Sequence, residues 1–198
     1  MRKKYDIALQ EEPCKKQNCK VGEIKTEDGK LVADIVVSDQ VIDEANMRVM
    51  FVMFHPETKR YVIYMTMEQF GKIRGRDKVE LFAFYHEVGH IYNGDLEHGM
   101  TGDEYRTERA AATRLGKVMD IELNADKFAV GYVGARNAVL ALKKMQAERR
   151  LLDLEQGHQS FPKAQAALKE YDARIVAIEE WVKQKRTRRP RPARRNNK

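Results

Sequence analysis

The chain has 198 residues, 42% of them hydrophobic and 34% charged, with a formal net charge of +7. That length suits one domain with its own core and is short for two, and no apolar run nears the roughly 18 to 20 residues that span a bilayer. The charge is local: residues 183–198 (KQKRTRRPRPARRNNK) hold nine Lys and Arg and no acid, leaving 28 of the 37 basic residues against 30 acids, so the body is about neutral at −2 and is not a uniformly basic nucleic-acid binder.

The N-terminal stretch MRKKYDIALQEEP begins with positive charge but has no apolar segment of a signal peptide's roughly 7 to 15 residues, so a soluble, cytoplasmic protein with no membrane contact is expected. Cys14 and Cys19, the only cysteines, read first as unpaired surface thiols, because a metal knuckle would need two more ligands nearby, with a disulfide or redox pair as the other reading. Four strand-like runs follow: VGEIKT, KLVADIVV, RVMFVMFH and RYVIYMT. The first two flank Glu27-Asp28-Gly29 and the last two flank PETK, so both pairs read as hairpins of a small antiparallel sheet.

From Thr66 onward the pattern is helical: a short piece near residues 67–74, then 79–93, then roughly 103–150 with breaks, then 162–185, with Ser160 and Pro162 opening the last. Sheet first and helices after is an α+β layout. The expected organisation is a single domain over residues 1–182 and a disordered basic tail over 183–198, where two prolines and dense charge leave nothing to bury.

The helix over 79–93 carries the chemistry. Val79, Leu81, Phe82, Ala83, Phe84, Tyr85, Val88, Ile91 and Tyr92 leave it almost no polar face, so it is expected to be buried. Yet it holds His86, Glu87 and His90, and buried polar groups need partners. The two histidines are one turn apart and project from one face, at a spacing that lets two imidazole nitrogens bind one tetrahedral cation. Glu87 lies about 100° round from His86, within reach of a water at that cation.

A hydrolytic zinc site takes three protein ligands. A histidine six residues past His90 is excluded, since that position is Leu96. His98, Asp95, Glu97, Glu104 and Glu108 fall in NGDLEHGMTGDEY, which reads as an exposed connection, with Asp95 a turn residue. Glu122 is the better candidate. In VMDIELNADKFAVGYVGA, residues Val118, Ile121, Ala125, Phe128, Ala129, Tyr132 and Val133 mark an apolar face, and Glu122 lies on it. Asp126, one turn on, is placed to accept the second ring N–H of a ligand histidine; pairing with a Lys or Arg is the other reading.

HEVGH followed by ELNADKFA is similar to the gluzincin zinc metallopeptidases, in particular the HtpX-like and ImmA/IrrE-like families; the likeness covers roughly residues 48–145. The resemblance implies a zincin-like fold, with the small sheet packed on the active-site helix and a mostly helical second half. It further implies one zinc ion on His86, His90 and Glu122, and hydrolysis of peptide bonds in a protein or peptide substrate with Glu87 as general base. For the oxyanion donor the residues leave His158, Tyr132 and Arg174 open. RYVIYMT, just ahead of the active-site helix, is expected to be a sheet edge that aligns an extended substrate.

Ala164, Leu168, Tyr171, Ile175, Ile178 and Val182 draw one apolar stripe, expected to pack on its own domain, with homodimerisation through the 162–182 helix as the other use. The basic tail offers nucleic acid or nucleoprotein a phosphate-binding arm. A regulatory protein of weak or no catalytic power, acting through that tail on nucleic acid or a protein partner, is therefore the alternative to the enzyme.

Overall fold

The computed structural model describes residues 5–10, 18–38, 50–55, 57–95, 117–158 and 162–187. His98, Glu97, Glu104, Glu108, Cys14, Ser160 and the tail over 188–198 lie outside them. The architecture is mixed α+β and mostly helical. Among the described residues five strands, β1 (Tyr5–Leu9), β2 (Cys19–Thr26), β3 (Leu31–Val37), β4 (Phe51–His55) and β5 (Arg60–Met65), precede helices α1 (Met67–Arg74), α2 (Lys78–Asn93), α3 (Lys117–Val133), α4 (Ala135–Glu155) and α5 (Pro162–Thr187).

The strands form one sheet in the order β1-β2-β3-β5-β4. The two expected hairpins, β2 with β3 and β4 with β5, are antiparallel, but β3 and β5 pair in parallel, with Ala33 opposite Tyr61 and Val37 opposite Met65. The sheet is therefore mixed, which corrects the antiparallel expectation. β5, paired on both sides, is an inner strand, which removes RYVIYMT as a substrate-aligning edge; among the described strands the edge is β4. At the opposite edge β1 pairs with β2, although the N-terminal stretch reads as merely polar. Tyr5, Ile7 and Leu9 alternate with Asp6 and Ala8, and that period of two suffices once β2 offers a partner.

Cys19 is disulfide-bonded, which corrects the expectation of an unpaired thiol. α5 continues to Thr187, so residues 183–187 are helical and not part of a disordered tail. No helix among the described residues is long and apolar enough to cross a membrane.

Two apolar cores meet at α2, which explains its apolar circumference. Phe84, Val88 and Ile91 face the sheet and join Ile24, Ile35, Ile63 and Met65, with Phe70 and Ile73 of α1. Phe82 joins Ala129 and Val133 of α3, Ala138 and Leu142 of α4, and Ile175 and Ile178 of α5. Phe82 and Phe84 are almost wholly buried, and each such side chain contributes about 1.5–3 kcal/mol of burial. The stripe on α5 thus packs on the chain's own helices, as expected.

Local signals place α2 in that position. Asp77 caps its start, accepting from the N–H groups of Val79 at 2.8 Å and Glu80 at 3.1 Å. Gly89 faces α3 so closely that a Cβ there would lie 2.8 Å from Ala125 Cα and 2.9 Å from its carbonyl oxygen. Only glycine lets the two helices touch at that point, and the contact brings Glu122 and Asp126 of α3 against the histidines of α2.

Candidate metal centre

His86 and His90 project from α2 with their Nε2 atoms 3.1 Å apart. Glu122, from α3, puts Oε2 at 3.1 Å from His86 Nε2 and Oε1 at 4.0 Å from His90 Nε2. All three residues are buried, and one ligand atom from each lies within 4.8 Å of the others, so the group could hold a metal ion. Bonds of about 2.0–2.2 Å at tetrahedral angles separate donor atoms by roughly 3.3–3.6 Å. The observed separations bracket that range, so these donors fit one small cation.

Each imidazole has its other nitrogen taken by a carboxylate. His86 Nδ1 is 2.9 Å from Asp126 Oδ1, and His90 Nδ1 is 2.9 Å from Asp95 Oδ2. A carboxylate accepts only from a proton-bearing Nδ1, so an imidazole held this way that carries a single proton turns its Nε2 lone pair inward, the tautomer a metal ligand needs. Asp95, expected to be a turn residue, thus supports the second histidine. Gly94 ends α2 in the left-handed conformation at φ 73°, and Asp95 N–H bonds back to the His90 carbonyl at 3.1 Å. That turn brings the Asp95 side chain over the ring.

Arg174 of α5 completes the centre from a third helix. Its Nε donates to Asp126 Oδ2 at 2.8 Å and its Nη2 to Asp126 Oδ1 at 2.7 Å; Nη1 is 3.5 Å from Glu122 Oε2. Sequence reading names Arg174 only as an oxyanion candidate, whereas its guanidinium engages the two carboxylates of α3 and, at 3.6 Å, Glu170 of its own helix. Of the other two candidates, Tyr132 is half exposed and stacks on Tyr85 at 4.1 Å. His158 lies just beyond the end of α4, its N–H donating to the Asp153 carbonyl at 2.7 Å.

The electrostatics favour positive charge at the three donors. Burial opposes a charged His86, but Asp126 and Glu122 outweigh it and hold its pKa well above the usual histidine value, with Arg174 in opposition. Burial likewise disfavours the Glu122 carboxylate, yet His86, then Arg174 and His90, keep it far below the ordinary range. The cluster holds a cation, and a metal ion would compete with the His86 proton for that role.

Glu87 lies on the flank of α2 next to the sheet. Its Oε2 accepts a hydrogen bond from Val52 N–H of β4 at 3.0 Å. Burial raises its pKa, with His86 and His90 pulling the other way. The structure therefore brings together all five residues singled out from sequence, His86, Glu87, His90, Glu122 and Asp126, and adds Asp95 and Arg174. Set against known protein families, curated proteins and solved structures, the chain matches none.

Proposed function

We propose that the chain is a zinc-dependent metalloendopeptidase with a zincin-like fold, in which His86, His90 and Glu122 hold one zinc ion and Glu87 is the general base. The observation that carries this reading is the convergence of both Nε2 atoms on Glu122 while each Nδ1 is held by a carboxylate. The likeness of HEVGH and ELNAD to the HtpX-like and ImmA/IrrE-like families supports it.

Bound zinc supplies Lewis acidity, lowering the pKa of a water and polarising a carbonyl. Glu87, whose pKa burial raises, would be the residue that takes a proton from a water and passes it to the leaving amine. Asp126 and Asp95 hold the imidazoles in register, and Arg174 keeps Asp126 ionised and aimed. β4, with one edge unpaired by any described strand, offers backbone groups to which an extended protein or peptide substrate can add.

The test compares wild type with Glu87→Gln on fluorescein-labelled casein after zinc loading. Equal zinc content with cleavage lowered by roughly 100-fold or more is expected, the upper part of the range for losing a general base. Equal cleavage by the two proteins overturns the reading.

A further inference from the structure

Among the described strands β4 pairs with β5 alone, and within that pairing Val52 lies opposite Ile63. Val52 N–H does not join the ladder; it points outward and meets Glu87 Oε2 at 3.0 Å. Strand geometry repeats every two residues, so the outward peptide groups of β4 belong to Val52 and Phe54. Glu87 thus occupies the first outward donor of the edge, close beside His86 and His90. An amide N–H makes one strong hydrogen bond, and a carbonyl of a chain added to this edge would need the donor that Glu87 now holds.

We propose that Val52 N–H is a shared donor that couples substrate docking to release of the base. In the free protein it holds the Glu87 carboxylate against the edge of the sheet. When an extended polypeptide adds to β4, one of its carbonyl oxygens takes the Val52 N–H, and Glu87 swings free to accept a proton from the attacking water. The donor selects a backbone carbonyl in an extended chain, so the substrate class is unfolded or looped polypeptide, whatever its side chains. Small esters and amides too short to reach β4 leave Glu87 held, and they are hydrolysed poorly even when they enter the centre. The proposal rests on the peptidase reading for the role of Glu87, but the exchange of one acceptor for another is a separate physical claim.

The test follows hydrogen exchange at the Val52 amide in the zinc-loaded full chain by NMR, with reduced, carboxymethylated casein as the probe. In the free protein, Glu87→Ala should speed exchange at Val52 by roughly tenfold or more, the equivalent of a hydrogen bond to a charged group. Glu87→Gln, which keeps an acceptor, should stay close to wild type. Adding the casein to Glu87→Ala should restore protection at Val52, because the substrate carbonyl replaces the missing carboxylate. Unchanged exchange in Glu87→Ala, or casein that leaves Val52 at its fast rate, overturns the proposal. Failure of the peptidase reading shows elsewhere, as equal casein cleavage by wild type and Glu87→Gln.

Discussion

His86 and His90 aim their Nε2 atoms at the same carboxylate, but different kinds of structure hold their Nδ1 atoms. His86 rests on Asp126, which has no solvent exposure and is gripped by two nitrogens of Arg174, so helices α2, α3 and α5 meet at one ring. His90 rests on Asp95, five residues further along the same segment and placed by the turn at Gly94, with 14% of its side chain exposed. The first support is tertiary and fails only when helices separate. The second is local and can open with the end of α2 while the rest stands.

The hardest blow to this arrangement is Arg174→Ala. It leaves the buried Asp126 carboxylate with His86 as its remaining partner, and removing one partner from a buried charge cluster costs about 3–5 kcal/mol. Chemical denaturation should show that loss together with weakened zinc binding; a change below about 1 kcal/mol would mean that Arg174 does not clamp the centre. A milder pair of variants compares the supports directly. Asp126→Asn and Asp95→Asn each weaken the hold on one imidazole, an effect of about 10- to 100-fold in metal affinity. Competition titration with a zinc chelator should place Asp126→Asn near the upper end and Asp95→Asn near the lower. Equal losses would erase the distinction between the tertiary and the local support.

The smallest effect is the pH dependence of the metal-free chain. His86 is raised from 6.5 to about 10, so its contribution to stability is complete below about 6.5 and is lost as the pH climbs through 10. Glu122 and Asp126 are lowered from 4.5 and 3.8, so theirs is present above those values and lost as the pH falls. Thermal melts in chelator should therefore peak near pH 5 to 6.5 and decline steadily toward pH 10. Saturating zinc should flatten the alkaline decline, because the ion replaces the proton. A metal-free curve that is level from 6.5 to 10 would show that the Asp126 support does not hold charge on His86.

The legible part of this centre was local or lay on a stripe. His86, Glu87 and His90 sit within one turn of a helix otherwise too apolar for them, and Glu122 and Asp126 break the apolar face of α3. Arg174 obeys the same rule, since it falls three residues after Tyr171 and four before Ile178 on the α5 stripe, and a charge on a buried stripe asks for a partner. Its partner stands 48 residues away, and periodicity carries no information about which helix it meets. Asp95 was hidden differently: the turn-forming Gly94 that marks a helix end also folds the next side chain back over His90. The sheet shows the same limit. Period-two patterns and hairpin turns gave β2 to β5 their places in sequence, but the parallel pairing of β3 with β5, which puts β4 at the edge, is non-local and leaves no mark in either strand.

The contact of Gly89 with Ala125 acts as a calliper. At Gly89 the backbone of α2 lies directly on Ala125 of α3, and this close approach, one turn or less from His86, His90 and Glu122, sets their spacing. Such a gauge cannot widen to suit a large ion that wants six to eight oxygens at about 2.3–2.6 Å. With two nitrogens and a carboxylate held at that gap, size selection for an ion bound there would depend on the methyl group that Gly89 lacks, on a helix face that supplies no ligand.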